Sequence, residues 1–254
     1  PGAVLRYRKE IVLGSLQPGE VTPLSRIPEQ QVLYIEGGEG RIDDGSQVWD
    51  LREGITVLIP PNGGHRIANV GKTPLTMLML SSPVAAGVTT APGMVVRDVA
   101  KIMYVEQGAH WTNLSKAPFN DLGERYLIVY MGPRTIAGAH AHTPQTEEAW
   151  VKITDAPALM QMGSEIRDWP GNVGILAPTT GQTVHAAINT SNQVQAWFYF
   201  AGNGPTSIQT APPAPNPNQA AGGRPPQNPA IRESMINSTV AGRPLNPPAP
   251  PARR

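Results

Sequence analysis

A short constellation of residues occurs twice along this chain. Gly54, Pro60, His65 and Asn69 return as Gly174, Pro178, His185 and Asn189, and Gln31-Val-Leu-Tyr-Ile aligns with Glu147-Glu-Ala-Trp-Val. A pattern that repeats on this scale implies two copies of one folding unit rather than a single undivided core. Each copy consists of short runs rich in Val, Ile, Leu and aromatic residues, separated by Gly, Pro, Asn and Asp. That spacing predicts strands joined by tight turns, the pattern of a β-sandwich or small barrel.

Composition narrows the partners more than the fold. Only 15% of the 254 residues are charged, the net charge is +1, and Gly and Pro number 26 and 28, which suits a turn-rich β protein. Near-balanced charge gives no reason to expect nucleic acid or an anionic membrane surface as partner. No run of eighteen apolar residues is present to span a bilayer. Cysteine is absent, which excludes disulfide and thiolate chemistry. The chain begins at Pro1 rather than Met, which fits a trimmed chain or a mature form that has lost a signal peptide. Secretion or export to a periplasm is the expectation attached to the second case.

The first unit is expected over residues 1–95 and the second over 123–203. The connection between them, 96–122, is expected to add strands to the sheets or to cross between the halves. From 204 onward Pro, Asn, Gln and Ala dominate. Such a segment buries too little apolar surface to fold alone, so 204–254 is expected to be extended or disordered.

Candidate chemistry gathers in the second unit. His140 and His142 lie two apart, and the side-chain period of a strand sends both imidazoles to one face. Glu147 follows five residues after His142. His185 stands far enough along for a neighbouring strand to fold back beside them. Three imidazoles and a carboxylate make a donor set suited to a divalent first-row metal. Glu148 competes with Glu147 for the carboxylate's place. In the first unit Gln31 stands where Glu147 stands, and Leu24 and Arg26, give or take a gap, stand where the two histidines do. Only His65 of four possible ligands is left there, so no metal is expected in that half.

These residues resemble the cupin family, and specifically its two-domain bicupin members. The family's first motif has His-x-His, a few residues, then Glu, here His140, His142 and Glu147. Its second has Pro, a nearby Gly, then His and Asn, here Pro178, Gly181, His185 and Asn189. The glycines that usually flank the first motif are missing, and the gap from Gly181 to His185 is one residue longer than usual.

The resemblance implies an all-β fold of two tandem cupin barrels, double-stranded β-helices of the jelly-roll kind, followed by the Pro-rich tail. It implies His140, His142, Glu147 and His185 as ligands of one divalent transition metal, among Fe, Mn, Ni, Cu, Co and Zn. Glu148 then faces outward or sits at the rim, as a surface charge or a supporting acid/base. Tyr126, Tyr130 and His110 are candidate proton donors near the mouth. Met160 and Met162, with either Phe198 and Phe200 or Trp197 and Tyr199, would line the pocket. The implied activity is that of a metal-dependent, dioxygenase-like oxidoreductase acting on a small organic substrate in the second barrel. A decarboxylase, lyase or isomerase, and a binding protein without turnover, are the alternatives. Homo-oligomers are expected on the same grounds, since sheet edges need covering.

Overall fold

The computed structural model describes residues 5–202, except 89, 107–112, 125, 178 and 180. The tail from 204 and the candidate His110 therefore lie outside the described residues. Strands β1 (Glu10–Leu16), β2 (Gln30–Gly37), β3 (Glu39–Asp43), β4 (Val48–Arg52), β5 (Ile55–Ile59), β6 (Arg66–Asn69), β7 (Leu75–Ser82) and β8 (Val95–Asp98) build the first half. The second half contains β9 (Tyr104–Glu106), β10 (Asn113–Lys116), β11 (Tyr126–Met131) and β12 (Glu147–Lys152). It continues with β13 (Ala158–Met162), β14 (Glu165–Asp168), β15 (Gly174–Ala177), β16 (His185–Asn189) and β17 (Gln195–Gly202).

Each half pairs a large sheet with a small one. In the first, β1-β7-β2-β5-β8 faces β4-β3-β6. In the second, β15-β12-β17-β11-β10-β9 faces β14-β13-β16. The order of β2, β3, β4, β5, β6 and β7 recurs in β12 to β17, which makes the fold two tandem all-β jelly-roll barrels. The connecting segment supplies β8 to the edge of the first large sheet and β9 and β10 to the edge of the second.

Strand parity decides where each side chain goes. On β2, Leu33 and Ile35 enter a core with Ile42, Val57, Ile59 and Ile67 inside the first barrel. On β17, Trp197 and Tyr199 enter the second barrel with Val129, Trp150, Met160 and Trp169. The opposite parities, Val32, Leu58, Leu78 and Leu80 from one half and Tyr126, Ile128, Val151, Phe198 and Phe200 from the other, form a third core where the large sheets meet. Of the two alternatives for β17, Trp197 and Tyr199 therefore line the barrel interior, and Phe198 and Phe200 seal the two barrels together. Polar ties cross the same boundary. Gln30 Nε2 donates to Glu124 Oε2 at 2.6 Å, and the Thr56 and Tyr126 hydroxyls share a hydrogen bond.

The repeat is real, but its register is one residue off the sequence alignment. Gln31 pairs with Ile59, and Glu148, not Glu147, pairs with Ala177, the residue before Pro178. Gln31 is thus the counterpart of Glu148. Ser25 bridges to His65 as His140 bridges to His185, so Ser25 and Ile27, rather than Leu24 and Arg26, occupy the places of the two histidines. Gly54 likewise corresponds to Asn172 rather than Gly174: both open the strand that follows with positive φ, 79° and 58°, a conformation open to Gly and tolerated by Asn.

Candidate metal centre

His140 and His142 sit on an extended segment just before β12 that is not itself a regular strand. It is held to β16 by reciprocal bonds: His140 N–H donates to the His185 carbonyl at 3.1 Å, and His185 N–H donates to the His140 carbonyl at 2.9 Å. Two-residue spacing in extended backbone still brings both rings to one side, as the sequence predicts. Behind this segment lies Gly181, at φ 73°. A Cβ there would stand 2.6 Å from the His142 carbonyl oxygen and 2.5 Å from Pro144 N, so the second motif's glycine is what lets the His142 loop close over the barrel mouth.

The three imidazoles meet at their Nε2 atoms. Ring centroids are 4.8 Å apart for His140 and His142, 4.4 Å for His140 and His185, and 5.1 Å for His142 and His185. The acid that joins them is Glu148. Its Oε2 lies 2.9 Å from His185 Nε2 and closer still to His142 Nε2. One ligand atom from each of His140, His142, Glu148 and His185 falls within 4.8 Å of the others.

Glu147, the carboxylate expected from the motif spacing, points to the other face of β12. There it accepts hydrogen bonds from the backbone N–H groups of Arg6, Tyr7 and Arg8, the latter two at 3.0 Å. The correction has a simple cause. All six residues of β12 are buried, so the strand shows no polar–apolar alternation from which its parity can be read. The loop after His142 is one residue longer than the motif's, and it moves the inward acid from 147 to 148. Parity could have been taken from Trp150, whose bulk needs the wide barrel interior and which shares a face with Glu148.

Second-sphere contacts show which atoms are available for ligation. His140 Nδ1 lies 3.0 Å from the Gly138 carbonyl, and His185 Nδ1 lies 3.1 Å from the Thr183 carbonyl. A carbonyl only accepts, so each Nδ1 carries a proton, and the ring in its neutral form turns the Nε2 lone pair inward. Lone pairs on His185 Nε2 and on Glu148 Oε2 at 2.9 Å repel unless a proton or a cation stands between them. The donor set therefore fits a divalent metal on chemical grounds.

The four groups also shift one another's titration. Burial alone would raise Glu148, but bonds and charge from His142 and His185 hold its carboxyl well below the usual carboxylate range. Burial, reinforced by the charge of His185, lowers His140. At His185 burial also acts downward but is outweighed by Glu148, which raises it.

Around the centre, Trp150, Met160, Met162, Ile175 and Ala177 pack an apolar wall against His185 that leaves no room for a water molecule. Both methionines lie where the sequence puts the pocket wall. The Glu148 and His185 side chains are 0% and 2% exposed and that of His142 is 22%, while the Nε2 atoms of all three histidines are buried. Tyr130, expected near the mouth, instead lines a separate cleft between the barrels with Tyr34, Glu36, Lys116 and Asp155. Tyr126 is fully buried in the core between the large sheets. Sequence reasoning missed Trp150: its Nε1–H donates to Glu148 Oε1 at 2.7 Å. In the first barrel His65 repeats the carbonyl bond of His185, here to Gly63 at 3.1 Å, but Gln31 donates to Met79 Sδ and no second imidazole joins them among the described residues.

Two jelly-roll barrels set face to face, one holding a His₃–Glu cluster at its mouth, define a two-barrel cupin fold. Residues 12–81 match the family model of the cupin domain, and the two-barrel fold is cupin-like throughout. A protein of Methanocaldococcus jannaschii described as uncharacterized is 33% identical over 54 residues, which cover 21% of this chain and 43% of that protein. Among solved structures, AerE from Microcystis aeruginosa superposes with a TM-score of 0.59 at 14% identity, over 74% of this chain and 85% of that one. Oxalate decarboxylase of Bacillus subtilis, in a structure described for its Mn(II) centers, superposes with a TM-score of 0.56 at 13% identity, over 77% of this chain and 68% of that one. These likenesses show the shared fold.

Proposed function

We propose that this chain is a metal-dependent enzyme whose chemistry is confined to the second barrel, and that its reaction is an oxygenase reaction on a small organic molecule. His140, His142, His185 and Glu148 would hold one divalent transition ion. Such an ion supplies Lewis acidity and, with four protein donors, leaves two of six octahedral positions for substrate and dioxygen. The observation that carries the oxygenase reading is the apolar wall of Met160, Met162 and Ile175 against His185. An apolar wall beside the ion keeps water from the reacting atoms and favours a small, partly apolar substrate. The half-buried His142 marks the side from which an organic substrate enters. The Nδ1–carbonyl bonds of His140 and His185 hold both rings oriented with Nε2 toward the ion.

The test is oxygen consumption by protein loaded with Fe(II), across panels of small carboxylic acids and aromatic compounds. Uptake dependent on one substrate class supports the reading. Turnover without oxygen uptake, seen as CO₂ release or isomerised product, moves the function to the second reading, a non-oxidative decarboxylase, lyase or isomerase. That reading is favoured by the likeness of fold to oxalate decarboxylase. One stoichiometric ion with no turnover of any kind leaves a binding protein. Homo-oligomerisation belongs to the same proposal: β1 is a free edge of the first large sheet and Leu13 on it is 50% exposed. Light scattering reads it directly.

A further inference from the structure

The Glu148 carboxylate is held at both oxygens by different partners. Oε2 faces His142 and His185, while Oε1 accepts the Trp150 indole N–H at 2.7 Å. The two residues lie on one face of β12, two positions apart, and both are buried, at 0% and 3% exposure. The indole ring is packed edge-on to His185 at 5.3 Å and stacked on Trp197 at 5.7 Å. An indole N–H donates and cannot accept.

We propose that Trp150 is a positioning residue that confines Glu148 to one-oxygen ligation of the ion. The inference rests on the metal-centre reading above. A free carboxylate chelates a divalent ion readily with both oxygens, and chelation here would consume one of the two positions left for substrate. With Oε1 engaged by a donor on its own strand, turning Oε1 toward the ion breaks a buried hydrogen bond. Glu148 then presents Oε2 alone, and the centre keeps two open positions.

The experiment loads the full chain, as wild type, Trp150→Phe and Trp197→Phe, with Co(II). It records stoichiometry, affinity by chelator competition, and the visible d–d absorption, which reports coordination number. Trp197 is the matched control because it belongs to the same stack and its Nε1 has no hydrogen-bond partner among the described residues, so Trp197→Phe removes equal volume without removing a bond to Glu148. Wild type is expected to take one ion. Trp150→Phe is expected to bind about 10–100-fold more weakly, the loss typical of a supporting hydrogen bond to a metal ligand, with an altered d–d spectrum. Trp197→Phe is expected to stay within twofold of wild type with an unchanged spectrum. Unchanged affinity and spectrum in Trp150→Phe, or an equal loss in both variants, overturns the positioning role and leaves the metal centre standing. Failure of wild type to take an ion overturns the metal centre itself, and the inference with it. Should Trp150→Phe not fold, nitrogen-15 NMR of the tryptophan indoles in Zn(II)-loaded wild type decides. A Trp150 N–H protected from solvent exchange and shifted downfield supports the role, and a rapidly exchanging one overturns it.

Discussion

Glu147 and Glu148 are adjacent on β12 and send their carboxylates to opposite faces. One is capped by three backbone N–H groups of residues 6–8, and the other closes a ring of three imidazoles. Both are buried, at 1% and 0% exposure, so their substitution should separate architecture from chemistry.

Glu147→Ala strands the N–H groups of Arg6, Tyr7 and Arg8, and should cost about 2–4 kcal/mol of stability, the range for losing a buried carboxylate and its hydrogen bonds. It should leave one ion per chain. Glu148→Gln should lose stoichiometric metal with the fold intact. Urea unfolding paired with elemental analysis reads both, and metal loss in the Glu147 variant alone would reverse the assignment.

Gly181→Ala should weaken the centre without touching a ligand. The new methyl would meet the backbone of His142 and Pro144 from a residue at φ 73°, a strain of about 1–3 kcal/mol. The loop must yield, carrying His142 away. Metal affinity should fall at least tenfold, and an unchanged affinity would show that the loop position is not set by Gly181.

Burial pushes Glu124 up to about 7, against the charge of Arg8 and the amide of Gln30. The folded chain then keeps a proton that the unfolded chain gives up near the ordinary 4.5. The stabilisation is present in full below about pH 4.5 and is lost as pH rises through about 7. Over that window it amounts to something on the order of 3 kcal/mol. Urea unfolding of wild type and Glu124→Gln between those pH values should show the wild type losing stability relative to the variant as pH rises, and parallel curves would refute it.

The first barrel should be convertible. Ser25→His, Ile27→His and Gln31→Glu, added to the native His65, would rebuild the four donors on the register set by the Ser25–His65 bridge. Two ions per chain are expected by elemental analysis. His65→Ala alone should leave the count at one, whereas His185→Ala should abolish it.

The histidines and the two-barrel plan were legible because they rest on local spacing: two residues in extended backbone, and a motif that recurs. The identity of the acid was not, because it depends on parity in a strand buried on both faces, where Glu-Glu-Ala-Trp-Val-Lys gives no alternation to read. The same off-by-one error displaced Gln31, Leu24 and Arg26 in the repeat. The place of Tyr130 was illegible for a related reason: β11 is packed on both sides, and only the sheet-to-sheet contact reveals that its even positions face the other barrel. Nothing in composition or motif announces the Trp150–Glu148 bond, which needs the side-chain geometry.

The first barrel lacks three of the four ligands, yet β12 and β17 of the second lean on it through Val151, Phe198 and Phe200. Cutting the chain to its metal-bearing half would bare that aromatic wall to water, and such a fragment would clump rather than work. The silent twin is in effect the backing plate against which the working one keeps its shape, and a duplicate relieved of chemistry is retained as masonry.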